Sequence, residues 1–478
     1  MIRWRAHSRA LVVHAVLIAA AVSLAASILL EPWLGLGVAV VSVGLILRPF
    51  DPITALAVLA ATASFVDNEG GHMTRDLSVV TLVAMYVVVT FASSRWQGRW
   101  RAPGGPMILS LVAFLGWTAL STLHGLLAGH PTQFIALEVA ALGMLSFTWI
   151  SAGLKISAND LRPALVILIA AGLGHVLLGV VSYGVNHIRT GGIWYTPLPG
   201  MLAIVALCFG LNARTPVARA GWALLLGLFL LHQTISFSRG YWLGLLVALP
   251  WTALMFVRLG PKARERWGRL GMMAALAAGV LALTALATAT VMEWSDLPAL
   301  LGTRFGSSFS TKNSSVSASN MARLLEYAAS FRYIQEHLFV GHGMGLELRI
   351  RDPFFHVVTR QAYVHQTYLW LWLKQGLVGL ALFLTLLVHA IRTALAGARS
   401  DDKETAAWCL SAAGATVFLA VVNLTTFHLA QVNATTLQAI LWGLALAMTK
   451  PVHWRLVWRE KLSLATPAQR AGPDLTVG

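Results

Sequence analysis

Apolar runs follow one another along most of the chain, separated by short polar connections. A run of about 17–25 such residues, coiled as a helix, is long enough to cross roughly 30 Å of bilayer hydrocarbon. By that measure the pattern predicts fourteen spans, at residues 10–30, 34–47, 53–66, 77–93, 107–124, 133–152, 163–183, 195–212, 217–235, 241–257, 270–291, 364–390, 405–423 and 434–449. The first run, LVVHAVLIAAAVSLAASILL, follows Arg3, Arg5 and Arg9 in the manner of a signal peptide. Its length and the many similar runs after it make it the first span instead. The predicted fold class is all-α, a polytopic transmembrane helical bundle. It divides into spans 1–11 over residues 1–291, a large loop at 292–363, spans 12–14 over 364–449 and a basic tail at 450–478.

The loop at 292–363 is the one long interruption, and long structured loops are usually functional. It opens with GSSFSTKNSSVSASN, which reads as a mobile lid or linker, and continues with NMARLLEYAASFRYIQEHLF. In the second stretch Met321, Leu324, Leu325, Phe331, Ile334 and Leu338 recur at three- and four-residue spacing. That spacing predicts an amphipathic helix, N-capped by Ser319 or Asn320 and stopped by the glycines of GHGMG, with Arg323 and Arg332 on its polar side. Such a helix lies on the headgroup plane or roofs a cavity between spans.

Composition agrees with the span count and charge gives it a direction. Hydrophobic residues make up 57% and charged residues 11%, against about 25% charged in a typical soluble protein. A net charge of +16 invites a nucleic-acid reading, but the positions of the cations exclude it. With a cytoplasmic N-terminus, 24 of the 35 Lys and Arg fall in cytoplasmic connections and the tail. Of the other 11, Lys374 lies in a span, seven lie in the large loop, and Arg75, Arg189 and Arg239 lie in short outer connections. Basic residues in short loops resist translocation, so both termini are expected in the cytoplasm and the large loop on the periplasmic side. The expected neighbour of the basic face is membrane lipid. Cys208 and Cys409 fall inside apolar runs and read as small core residues.

An arginine kept on the outer side works against the topology signal and marks a candidate function. Arg239 stands at the outer start of the tenth span, Arg323 on the loop helix, and His365 where the loop re-enters the membrane. Guanidinium groups bind phosphate oxygens bidentately and neutralise a departing diphosphate, while an imidazole takes a proton from an attacking hydroxyl. The plainer reading of Arg239 is a headgroup anchor beside Tyr241 and Trp242, and of Arg323 a solvated helix face. Arg332 is the substitute for Arg323, and Arg189 and Arg75 are secondary phosphate contacts. His337, His342 and His356 lack ligand spacing, and Asp67-Asn68-Glu69 reads as a solvated acidic turn, so no metal or other cofactor is expected. Lys374 and Glu138 lie within spans, where a charge is expensive. They pair with each other, or Lys374 adds positive charge beneath the site.

Two spacings carry a family resemblance. His365-Gln366, nine residues, then Gly376-Leu377-Val378-Gly379, and Arg239 followed four positions later by Leu243, resemble the O-antigen ligase and polymerase superfamily of bacterial polysaccharide assembly. Arg323, Tyr327, Gly341, Gly343 and Gly345 look like that family's loop helix, and the likeness covers roughly residues 220–390. It implies a C-type glycosyltransferase fold in the bacterial inner membrane and metal-independent transfer at the periplasmic face. The donor would be a glycan on undecaprenyl diphosphate and the acceptor a hydroxyl of lipid A-core or another glycan. By the same likeness Arg239 and Arg323 contact the diphosphate, His365 activates the acceptor, and Arg332, Arg189 and Gln366 add substrate contacts. Two alternatives stay open: a polymerase joining repeat units on the lipid carrier, and a lipid-linked glycan transporter. A transporter predicts internally repeated halves; no repeat is seen in the sequence, and the candidates gather at one face.

Overall fold

The computed structural model describes residues 51–65, 73–186, 196–236, 238–259, 263–291, 314–351 and 358–449. The first two predicted spans, the 67–69 turn, Arg189, His356, the side chain of Arg75 and the tail lie outside these residues. Each remaining predicted span coincides with a helix. These are α1 (Pro52–Ser64), α2 (Met73–Trp96), α3 (Pro106–Leu127), α4 (Thr132–Gly143) running through a short 3-10 turn into α5 (Phe147–Ala152), α6 (Arg162–Asn186) and α7 (Leu198–Asn212). They continue with α8 (Pro216–Ile235), α9 (Arg239–Arg258), α10 (Ala263–Val291), and, after the large loop's own helix α11 (Ser314–Glu336), α12 (Thr367–Gly397), α13 (Lys403–Val422) and α14 (Val432–Met448). Seven of these helical segments are long and apolar enough to cross a membrane, among the described residues.

The short polar connections start the helices. Asp51 accepts from the Thr54 amide at 3.0 Å ahead of Pro52, Thr215 caps α8 ahead of Pro216, and Asp402 caps α13. Each supplies an oxygen, or a proline that needs none, to the free N–H groups of a first turn. Between helices, glycine sets the spacing. A Cβ on Gly200 or Gly244 would sit 2.4 Å or 2.8 Å from the Phe418 ring, and one on Gly414 would sit 2.3 Å from Thr252 Oγ1. The α7, α9 and α13 backbones therefore approach closely, as small residues permit where lipid gives no hydrophobic drive. Cys208 and Cys409 are buried free thiols, as the apolar runs predicted.

The loop segment departs from expectation in three ways. Helix α11 begins at Ser314, so Ser319 and Asn320 lie within it and the second half of the polar stretch is helical. Its predicted apolar face is mostly outward: Met321, Leu324 and Phe331 on α11, and Leu338 just beyond it, are exposed, while Glu326, Ala329, Ser330 and Ile334 are buried. Apart from Ile334, which the predicted face included, the inward face was hidden in the sequence because it is small and polar. Finally, the all-α reading omitted an antiparallel pair, β1 (Leu348–Arg351) with β2 (Val358–Gln361), in register Leu348 to Gln361. Four-residue strands are too short to show a period of two.

Gly376 is where α12 breaks, at φ 70° and ψ −175°. Two glycines one turn apart permit close helix packing; Gly379 does face α3, but Gly376 leaves the helix. Regular coiling would pair the Leu377 and Val378 amides with the Leu373 and Lys374 carbonyls. Instead those amides donate to the carbonyls of Leu338 and Phe339 at 3.0 Å and 3.3 Å, and the Leu373 and Lys374 carbonyls accept from His342 and Gly343 at 3.0 Å and 2.9 Å. The GHGMG backbone thus fills the break. A Cβ on Gly376 would lie 2.1 Å from the Phe339 carbonyl oxygen, and one on Gly343 2.5 Å from the Gly125 nitrogen. Positive φ at both and contact with backbone leave room for glycine alone.

A buried ion pair locks this junction. Lys374 Nζ lies 2.7 Å from Glu138 Oε1 and donates to the Leu346 carbonyl at 2.5 Å. The second Glu138 oxygen accepts from the Gly345 amide at 2.6 Å. Of the two sequence readings of Lys374, pairing with Glu138 is the one observed. Removing one member of a buried pair strands the other. Lys374→Met is expected to cost about 3–5 kcal/mol, and adding Glu138→Leu to recover part of it, measured by thermal unfolding in detergent.

Candidate active site

The inward face of α11 positions a carboxylate. Glu326 is 2% exposed, flanked along the helix by Ala329 and Ser330, whose small side chains let α11 lie close to the chain entering α12. Its Oε1 accepts from the backbone amide of His365, and its Oε2 lies 2.7 Å from His365 Nδ1. An ionised carboxylate only accepts, so Nδ1 carries the proton and Nε2 is left as the basic nitrogen of the ring. The His365 side chain remains 34% exposed. Tyr363 and Phe427 hold the ring edge-on at 5.4 Å and 6.0 Å, and stack on each other at 4.6 Å. A buried carboxylate, an oriented imidazole and one open ring nitrogen form the base half of an acid–base device.

The turn between α13 and α14, residues 423–428, ties His365 to the start of α9. Thr367, first residue of α12, donates its amide to the Asn423 and Thr426 carbonyls at 3.0 Å and 3.1 Å, and its hydroxyl to Asn423 Oδ1 at 2.9 Å. The same turn sets Thr425 against Gly240, where a Cβ would lie 2.3 Å from Thr425 Oγ1, and stacks His428 on Tyr241 at 5.4 Å. Arg239, half-buried at the first turn of α9, therefore stands at the same end of the bundle as His365.

Arg323, also half-buried, is one turn before Glu326 and Tyr327 on α11. Burial pushes the Tyr327 phenol pKa up, which the Arg323 charge opposes and the Glu326 charge reinforces. Arg332 does not join them. It is exposed and lies about 180° around the helix from Arg323, since successive residues advance about 100°. Gln366 is the N-cap of α12, its Oε1 accepting from the Leu369 amide at 2.6 Å, which explains a glutamine next to the histidine without any ligand. His337 and His342 brace the glycine loop, His342 Nε2 lying 2.7 Å from the Tyr333 carbonyl oxygen. Sequence reasoning missed Glu326, Phe427 and Asn423. The only signal for Glu326 was its alignment with Arg323, Ala329 and Ser330 at helical spacing.

The fold is that of a multi-pass inner-membrane helical protein with its candidate chemistry where a loop helix meets the ends of three bundle helices. A family model described as O-antigen ligase matches residues 221–384, a stretch that holds Arg239, Arg323, Glu326, His365 and the Gly376 break. Over that stretch the chain is similar to the O-antigen ligase family. No curated protein sequence matches it.

Glu326→Gln keeps the size of the side chain but removes the charge that fixes the imidazole. It is expected to lower glycan transfer by about 10²–10⁴-fold with normal membrane insertion. Arg332→Ala, on the opposite face, is expected to stay close to wild type in the same assay.

Proposed function

We propose that this chain is a metal-independent glycosyltransferase of the GT-C type. It moves a glycan from undecaprenyl diphosphate to a hydroxyl acceptor, lipid A-core or a similar glycan, at the periplasmic face. The observation that carries the reading is the buried Glu326 holding His365 through both its ring and its backbone, one turn from Arg323. The acceptor hydroxyl oxygen attacks the anomeric carbon of the donor and its proton passes to His365 Nε2. The bond from that carbon to the diphosphate oxygen breaks, and Arg239 and Arg323 receive the charge that develops on the leaving diphosphate. A single displacement inverts the anomeric centre.

Positioning fits this chemistry. His365 is held at the first turn of a helix that is itself anchored at the 423–428 turn and at the filled break. A general base is useful only where its geometry is fixed before the substrate arrives. Transport, the reading from another class, calls for a broken helix lining a substrate or ion path. The break at Gly376 is occupied by the backbone of the glycine loop, which supports an enzyme.

Reconstitution of the purified chain with an undecaprenyl diphosphate-linked repeat unit, with and without lipid A-core, tests the proposal. Transfer to the lipid A-core only is expected; a ladder on the carrier lipid identifies the polymerase form instead. His365→Ala and Arg239→Ala are each expected to lose at least about 10²-fold, and a chelator to change nothing. Full activity in both variants overturns the site, and chelator-sensitive activity restored by a divalent cation overturns the metal-independent mechanism.

A further inference from the structure

At the opposite end of the bundle from His365 lies a cavity of about 260 Å³. It sits where α7 and α9 finish, α10 begins, and α12 turns into α13. Arg266, Arg269, Arg399 and Lys403 line it, against two carboxylates, Glu265 and Asp401. The other acids nearby are engaged: Asp402 caps α13, and Glu404 pairs with Arg162 at 3.0 Å. Of the four cations, Arg269 pairs with Glu265, and Arg266 donates to the Phe256 carbonyl while its guanidinium lies 4.5 Å from the centre of the Phe256 ring. Arg399 and Lys403 make no ion pair among the described residues.

An excess of cations converging on one cavity leaves a positive potential that an anion would neutralise. Bidentate guanidinium donors suit phosphate oxygens. Part of the lining is apolar, with Leu259 at the end of α9 and Ala406 and Leu410 on α13, so a ligand with its phosphate on the cations would lay an apolar portion along the helices. We propose that this cavity binds the phosphate headgroup of an anionic lipid, on the face that the charge distribution assigns to the inner leaflet. The site is separate from the glycan-transfer site and holds together the α9–α10 and α12–α13 connections, which anchor the cytoplasmic ends of the helices carrying Arg239 and His365.

The test is binding of fluorescent phosphatidylglycerol to the full-length chain in neutral detergent, with competition by unlabelled lipids. Phosphatidylglycerol is expected to displace the label and phosphatidylcholine to fail. Arg399→Gln/Lys403→Gln removes two cations that hold no structural partner, and is expected to weaken binding about thirtyfold at roughly 1 kcal/mol per charge, with glycan transfer unchanged. Displacement by inorganic phosphate as effective as by the lipid, also lost in the double variant, identifies the ligand as free phosphate. Equal binding by wild type and variant, or equal displacement by phosphatidylcholine, overturns the proposal. Ala406→Phe fills the cavity with its charges intact and is expected to weaken binding as well, which keeps the test decisive if the double variant does not fold.

Discussion

Backbone polar groups in a bilayer find partners inside the protein or not at all, and the architecture around Gly376 follows from that constraint. Breaking α12 frees two carbonyls and two amides below the site. The stretch from Leu338 to Gly343 enters the gap and pairs with all four: Leu338 and Phe339 accept from the amides, and His342 and Gly343 of the glycine loop donate to the carbonyls. Only a chain with glycine at 341, 343 and 345 approaches closely enough, at φ of 74°, 88° and 81°. The buried Lys374–Glu138 pair then acts as a bolt: each of its charges also binds backbone of the inserted loop, at Leu346 and Gly345. A buried ion pair adds little to net stability, so its value here is to fix one arrangement of the loop.

That arrangement connects packing to chemistry. Helix α11 ends directly before the glycine loop, and the hairpin and His365 come after it. Pinning the loop sets α11 against the start of α12. Glu326 then reaches His365 across that contact, and Arg323 follows on the same face. The second anchor is the 423–428 turn, which grips Thr367 with backbone and side-chain hydrogen bonds and seats the start of α9 on Thr425. Arg239 and His365, distant in sequence, share one end of the bundle because both helices begin on that turn.

The outward side of α11 has a consequence of its own. Leu324 and Phe331, followed by Leu338 and Phe339, are exposed. Apolar side chains there are at home in the headgroup region, where interfacial helices bury such a face.

Much of this was legible in the sequence, and for a definite reason. Span length and the placement of lysine and arginine are strictly local properties read against a fixed bilayer thickness, so the helices from α1 to α14, the exceptional loop and the candidates Arg239, Arg323 and His365 could all be named from residue order. The GHGMG and GxxG motifs also stood out, though not that one fits inside the other. What the sequence hid depends on contact between distant segments. Glu326 looks like any acidic residue on a solvated helix until α11 is laid against His365, and Arg332 looks as good as Arg323 until the helix is given a buried side. Gln366 beside the histidine invites a role in binding, yet it caps a helix. Residue type and spacing determined which side chains stand out as candidates; tertiary structure alone decided which of them face one another, because that depends on the break at Gly376 and the loop that fills it.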